Sequence, residues 1–304
     1  MHLININFST STPIFRWRPA AWLRVTGGDA ESFLQGQFTN DLRALVGGPG
    51  AVYGLWLDVK GKVLADSFVL RGSGGNGAGA VFWIGSYFSS AAVIRARLES
   101  HVIADDVVIE DETLGWEGVS VLGPGGLKAA AGLPGLVFQG RRGWEESIEW
   151  VLPGTMVDEV RTHLGEFSAL DIHEMERRRI RAAIPAVPAD VGPGDLPQEG
   201  ALEADAISYT KGCYLGQEVM ARLKSMGQLR RRLTRVKGSV GELPALPALL
   251  FLGERKIGEL RSAVRDERGG FTGLAMLSLL HLTPGATLAW TPGAVPTVQI
   301  EDQP

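Results

Sequence analysis

At 304 residues, the chain is long enough for two or three domains, and 45% hydrophobic against 21% charged residues is an ordinary balance for a folded, soluble protein. A net charge of -4 provides no basic field, so a general nucleic-acid partner is not expected. One cysteine excludes an internal disulfide framework or a multi-cysteine metal site within a single chain, and the five histidines fall in no metal-binding spacing, so no resident metal is expected.

In chain order, Asp29 is a plausible N-cap, and Phe33, Leu34 and Phe38 form an apolar stripe behind it. Residues 52–57 and 63–70 are rich in strand formers and flank the turn Asp58-Val59-Lys60-Gly61, which reads as a hairpin. The Gly-rich run 72–79 lacks the G-K-[ST] ending of a phosphate loop and reads as a hairpin connection, followed by a strand over 80–84. Ser86 then opens a helix with Ala91, Ile94 and Leu98 on one stripe, and a strand returns over 102–110. This β-β-α-β order suits a small ferredoxin-like lobe, roughly residues 51–111.

Gly123-Pro124-Gly125-Gly126 and Leu133-Pro134-Gly135 are turns. A helix is expected from about Phe167 to Ile180, and residues 185–200 form a long Pro- and Gly-rich loop of the kind that is often functional. Gln217, Val219, Met220 and Leu223 carry helical spacing. From Leu229 the pattern changes to short strands (233–236, 249–252, 256–261, 288–290), a small all-β barrel. The division is therefore a core over 1–228 and a barrel over 229–304. No apolar run approaches the ~20 residues needed to cross a bilayer. Residues 1–19 lack the layout of a secretory signal, so the expected location is the cytoplasm, with no membrane partner.

The densest chemistry lies in Lys211-Gly212-Cys213-Tyr214-Leu215-Gly216-Gln217-Glu218. A thiol near a helix start, beside Lys211 and Arg222, sits where positive potential favours the thiolate; the bland alternative is a small buried hydrophobe. Arg179 shares a helical stripe with Ile172 and Met175, so its charge needs either an internal partner or a bound anion.

The octapeptide closely resembles the signature of the YgfZ family, folate-binding proteins related to the aminomethyltransferase (T protein) of the glycine cleavage system. Four further blocks resemble the family in the same order: Gly28-Asp29 with Phe33-Leu34-Gln35-Gly36-Gln37 and Thr39-Asn40-Asp41, Lys60-Gly61-Lys62 through Asp66, Arg179-Ile180-Arg181 to Ile184-Pro185, and Pro197-Gln198-Glu199 with Leu202. The resemblance implies an α+β fold, with a folate-binding core of two interleaved α+β lobes plus a C-terminal barrel around a central channel. It also implies a tetrahydrofolate ligand and a role in maintaining iron–sulfur client enzymes. On it, Glu199 binds the pterin edge, Arg179, Lys211 and Arg222 supply positive charge, and Asp66 belongs to the folate site. Cys213, with Lys211, is the chemically active group, and Tyr214 packs in the core. Two departures matter: Ala183 replaces a glycine before Ile-Pro, and in Ala65-Asp66 alanine replaces one of the T protein's paired aspartates, a block where aminomethyl transfer relies on an acidic group. An accessory folate-binding protein is therefore preferred over a one-carbon transferase or demethylase using Asp66 and Glu199. A pure interaction protein is the third reading.

Overall fold

The computed structural model describes residues 13–46, 50–73, 80–123, 135–157, 168–239, 242–266, 269–280, 282–283 and 285–301. The glycine-rich stretch 74–79 and the turns at 124–126 and 133–134 lie outside the described residues.

Three sheets carry the chain. Strand β1 (Pro13–Trp17) starts one of them and waits for partners far downstream: β7 (Trp116–Leu122), β8 (Leu136–Gln139), β9 (Ser147–Pro153) and β10 (Ser168–Ala169), in the order β10-β1-β7-β9-β8. Between β1 and β7 the chain builds a second lobe. Here β2 (Ala21–Thr26), β3 (Ala51–Leu57), β4 (Val63–Ser73), β5 (Ala80–Ser86) and β6 (Val108–Asp111) form a sheet in the order β3-β4-β5-β2-β6. Helices α1 (Ala30–Gln37) and α2 (Ala91–Glu99) cover it, with Phe33, Leu34, Ile94 and Leu98 buried against Leu23, Val25, Val69 and Ile84. One lobe is thus inserted into the other, and the two are interleaved.

The helix, hairpin and helix pattern expected from periodicity is present, with shifts that have local causes. The ferredoxin-like sheet reaches back to Ala21, not residue 51, because β2 pairs with both β5 and β6. Helix α2 starts at Ala91: the Ser90 hydroxyl accepts from the Val93 amide, while Ser86, expected to open the helix, ends β5 and turns its hydroxyl to Asp66. Asp29 precedes α1 but makes no side-chain cap; its carboxylate accepts from the Asp106 amide instead. The third helix, α3 (Ile172–Arg181), starts at an Asp171 cap and not at Phe167, since residues 168–169 pair with β1.

After α3 the long loop runs through a 3-10 turn at Pro197–Gly200 and the short α4 (Glu203–Ala206) to α5 (Gln217–Met226). The last sheet has six strands: β11 (Arg231–Ser239), β12 (Ala248–Leu252), β13 (Arg255–Arg265), β14 (Gly270–Ser278), β15 (Thr287–Leu288) and β16 (Val298–Ile300), in the order β12-β13-β14-β11-β16-β15. Reciprocal bonds between Phe251 and Ala289 (2.8 and 2.9 Å) join its two edges, so the sheet closes as a barrel around Val236, Leu250, Leu260, Phe271 and Leu277. A central apolar cluster, including Leu57, Ile180, Val191, Leu202, Tyr214, Met220 and Leu274, welds hairpin, loop, α5 and barrel together. Tyr214 is in the core, as expected.

Candidate functional site

The motif blocks, scattered over the chain, meet in space. The docking of the octapeptide on the first block is the tightest case. Lys211 is buried, and its ammonium donates to the carbonyls of Gln35 (2.7 Å), Phe38 (2.6 Å) and Asn40 (2.9 Å). Those are the orphan acceptors at and just beyond the end of α1, where the helix dipole is negative, so a cation there satisfies both needs. The amides of Leu215 and Ser208 donate to the carbonyls of Gly36 and Thr39, completing the seam. Burial pushes the Lys211 amine down to about 8. All three N–H bonds of the ammonium go to the backbone; Lys211 is a staple, and its assignment beside the thiol as a catalytic group is revised accordingly. Cys213 itself is exposed in the turn after it. Helix α5 begins at Gln217, capped by Gly216 at φ 88°, with Arg222 on its exposed side.

The second block joins through the glycines. Gly61 (φ 71°) and Gly216 come so close that a Cβ on Gly216 would lie 3.3 Å from the Gly61 Cα. Within the same hairpin, strand alternation sends residues 65 and 66 to opposite faces. Ala65 is packed in the apolar core beneath α1 and α2, whereas Asp66 lies on the other face. Its Oδ1 accepts from the hydroxyls of Ser86 (2.9 Å) and Ser89 (2.7 Å), and its Oδ2 from Tyr53 (3.0 Å). Burial pushes the Asp66 carboxyl up, against these donors and the neighbouring Arg141, which lies over the Tyr53 ring at 4.3 Å and bonds Asp205 at 2.9 Å. Only the acid retained at position 66 faces polar partners; a carboxylate at 65 would point into hydrocarbon.

The third and fourth blocks share one ion-pair network. Arg179 uses all five N–H bonds: Nε and one NH2 bond go to Glu176 (3.0 and 2.7 Å), the other NH2 bond to Ser262 (3.0 Å), and NH1 to Ile184 O (2.8 Å) and Asp190 (2.6 Å). No donor remains for an anionic ligand, so of the two readings for Arg179 the geometry matches the internal ion pair. Arg261 bonds the Asp190 carbonyl at 2.8 Å and Asp195 at 2.5 Å. Arg231 then bridges Asp195 (3.1 Å) to Glu199, with Nε on Oε1 at 3.0 Å and NH2 on Oε2 at 2.9 Å. Glu199 is buried, and its Oε2 also accepts from the Leu196 amide at 2.8 Å, which fixes the carboxylate within its own 3-10 turn. A cleft of about 210 Å³ opens beside Arg231, lined by Lys256, Ile257, Gly258, Glu259, Arg261 and Met276.

Sequence reasoning missed Arg231, Asp195, Arg261 and Tyr53. The sole signal was alternation in Arg230-Arg231-Arg232: on β11 residue 231 shares a face with the buried Leu233, so only the middle arginine turns inward. The Asp66 cluster and the ion-pair network touch through the loop, since Ser89 Oγ lies 3.0 Å from Val187 O and the Val63 amide donates to Asp195 O at 3.0 Å. Among the described residues no group of three or more His, Cys, Asp or Glu is placed to hold a metal, and no helix is long and apolar enough to cross a membrane.

An interleaved pair of α+β lobes with a C-terminal barrel is the aminomethyltransferase fold. Aminomethyltransferase T of the glycine cleavage system from Bartonella henselae superposes with a TM-score of 0.76, covering 96% of this chain and 85% of that one at 18% identity. Sequence similarity is more specific: the chain is 30% identical over 293 residues to the tRNA-modifying protein YgfZ of Edwardsiella ictaluri, covering 88% of this chain and 85% of the relative. It is also 28% identical to the human mitochondrial iron-sulfur cluster assembly factor IBA57, over 86% of this chain and 76% of that protein. No family model matches the chain. It belongs to the YgfZ family.

Proposed function

We propose that this protein binds a reduced folate at Glu199 and serves as an accessory factor for assembly or repair of iron–sulfur clusters in client enzymes, with Cys213 as its active thiol. The observation that carries the folate half is the Glu199 carboxylate, held rigidly and side-on to a parallel pair of N–H donors. A 2-amino-4-oxo pterin edge offers the same donor pair, and a carboxylate binds it bidentately. When bound, a reduced folate supplies a one-carbon carrier. In this reading Glu199 would hold the pterin, with Asp66 and Tyr53 on the other side of the loop as further contacts. The unpartnered, buried Gln198 Oε1 and Tyr214 hydroxyl next to the same motifs suit a polar ligand or ordered water.

The accessory half rests on kinship and on the exposed thiol. The human relative is named as an iron–sulfur cluster assembly factor, and the tRNA-modifying name of the bacterial relative widens the client class to enzymes acting on tRNA. With one cysteine the chain holds no cluster by itself in the usual thiolate manner. We place its action in the cytoplasm.

The test is calorimetric titration with reduced folates. Glu199→Ala in a folded variant should lose roughly one to two decades of affinity, the value of one charge-assisted contact. An unchanged affinity removes Glu199 from the site. Subsequent assay of methylene or formyl turnover separates the second reading, a one-carbon transferase, for which the buried Asp66, its carboxyl pushed up by burial, is the candidate acidic group.

A further inference from the structure

We infer that Arg231 is a latch on the Glu199 carboxylate, occupying the two oxygens that an incoming pterin would need. This rests on Glu199 being the pterin receptor. The contacts are bidentate, Nε to Oε1 at 3.0 Å and NH2 to Oε2 at 2.9 Å, the fork geometry by which a guanidinium engages both oxygens of a carboxylate. The Leu196 amide holds the remaining reachable position on Oε2. In this arrangement Glu199 has no vacancy for two further donors, so a ring can bind only in exchange for the guanidinium.

Several features make that exchange workable. The Arg231 side chain is 39% exposed while Glu199 is 7% exposed, so the arginine is the partner free to leave. The adjoining cleft of about 210 Å³ gives its head group somewhere to go, beside Glu259. Asp195 keeps a second cation, Arg261, at 2.5 Å when Arg231 departs, so only Glu199 is left wanting donors. That residual demand is what a ligand with paired N–H groups satisfies and one without them does not. The latch therefore selects as well as excludes: a ring whose edge lacks the donor pair cannot replace the arginine, because it would leave a buried carboxylate unpaired.

A half-exposed ion pair of this kind shifts an equilibrium modestly, and a closed latch raises the apparent Kd by the reciprocal of the open fraction, about three- to tenfold here. The experiment titrates tetrahydrofolate and a tail-less tetrahydropterin into the wild type, Arg231→Met, Arg231→Gln, Glu199→Ala and the Glu199→Ala/Arg231→Met double variant, each checked for folding by its melting curve. The expected result is tighter binding of both ligands by Arg231→Met, by about three- to tenfold, with Arg231→Gln between it and the wild type and no gain in the double variant. The Arg231 Nε–H resonance of the wild type should also move on ligand addition. Equal or weaker binding by folded Arg231 variants, with Glu199→Ala still losing affinity, overturns the latch and leaves the Glu199 reading intact. A gain at Arg231→Met that persists in the double variant, or no binding by any form, overturns both.

Discussion

Gly216 stands over Gly61 with its missing side chain aimed at the turn of the β3–β4 hairpin: a Cβ there would meet Asp58 O at 3.1 Å and the Gly61 Cα at 3.3 Å. Both glycines have positive φ, so each serves a backbone geometry and a close approach at once. Gly216→Ala should therefore destabilise the protein by about 1–3 kcal/mol, the sum of left-handed strain and crowding. Urea unfolding measures it. An unchanged midpoint would mean that the hairpin yields freely.

Lys211→Met should cost more, about 2–4 kcal/mol, because three carbonyls at and just beyond the end of α1 lose their donor together. Lys211→Arg should not restore it, since a planar fork cannot meet three converging oxygens. Wild-type stability in either variant would dissolve the staple and return Lys211 to the thiol.

For Arg179→Met the expected outcome is loss of stability by about 3–5 kcal/mol, with Asp190 left buried and unpaired. Restoring the balance with Asp190→Asn in the same chain should recover much of it. A singly substituted protein that melts normally but fails to bind a polyglutamylated folate would instead put Arg179 in the ligand site.

Asp66 ties stability to pH. Its folded carboxyl retains a proton above the ordinary range, because burial opposes the charge. The native state thus binds more protons than the unfolded chain between the ordinary value, about 4, and the raised one. Stability from this group is complete below that window and falls as pH rises through it. Asp66→Asn, which cannot titrate, should gain on the wild type in unfolding free energy as pH goes from about 4 towards neutrality. A constant difference across that range would show an ordinary carboxylate.

Cys213→Ser should leave the melting temperature nearly unchanged, since the side chain is exposed, yet fail to restore iron–sulfur enzyme activity in cells lacking the protein. Full rescue by the serine variant would strip the accessory reading of its active group.

Much of this was readable from local pattern. Runs of strand formers on either side of the Asp58–Gly61 turn marked the β3–β4 hairpin, and Arg179 on a stripe with Met175 announced a charge in need of a partner. What local pattern could not show is which partner. Asp190 lies in a loop with no periodicity, and the acceptors of Lys211 are carbonyls some 170 residues away, carrying no side-chain signature at all. Ser86 and Ser90 are equally good caps by composition; the deciding term was the Asp66 carboxylate, which claims Ser86 from across the sheet. Strand β14 escaped notice because Gly270 and Gly273 interrupt it, and those glycines exist for the close approach of neighbouring backbone, a tertiary requirement.

The interleaving of the two lobes has a consequence for synthesis. Trp17 pairs with Gly118, so β1 emerges from the ribosome about 100 residues before its antiparallel neighbour. At some 5–20 residues per second it stays unpaired for several seconds to tens of seconds, while β2 to β6 can already close on themselves. The inserted lobe is then the first unit able to fold, and the apolar Ile14 and Phe15 of β1 remain an exposed strand edge in the interim. Nascent chains halted before residue 116 should present that edge to chaperones, and release past β7 should withdraw it.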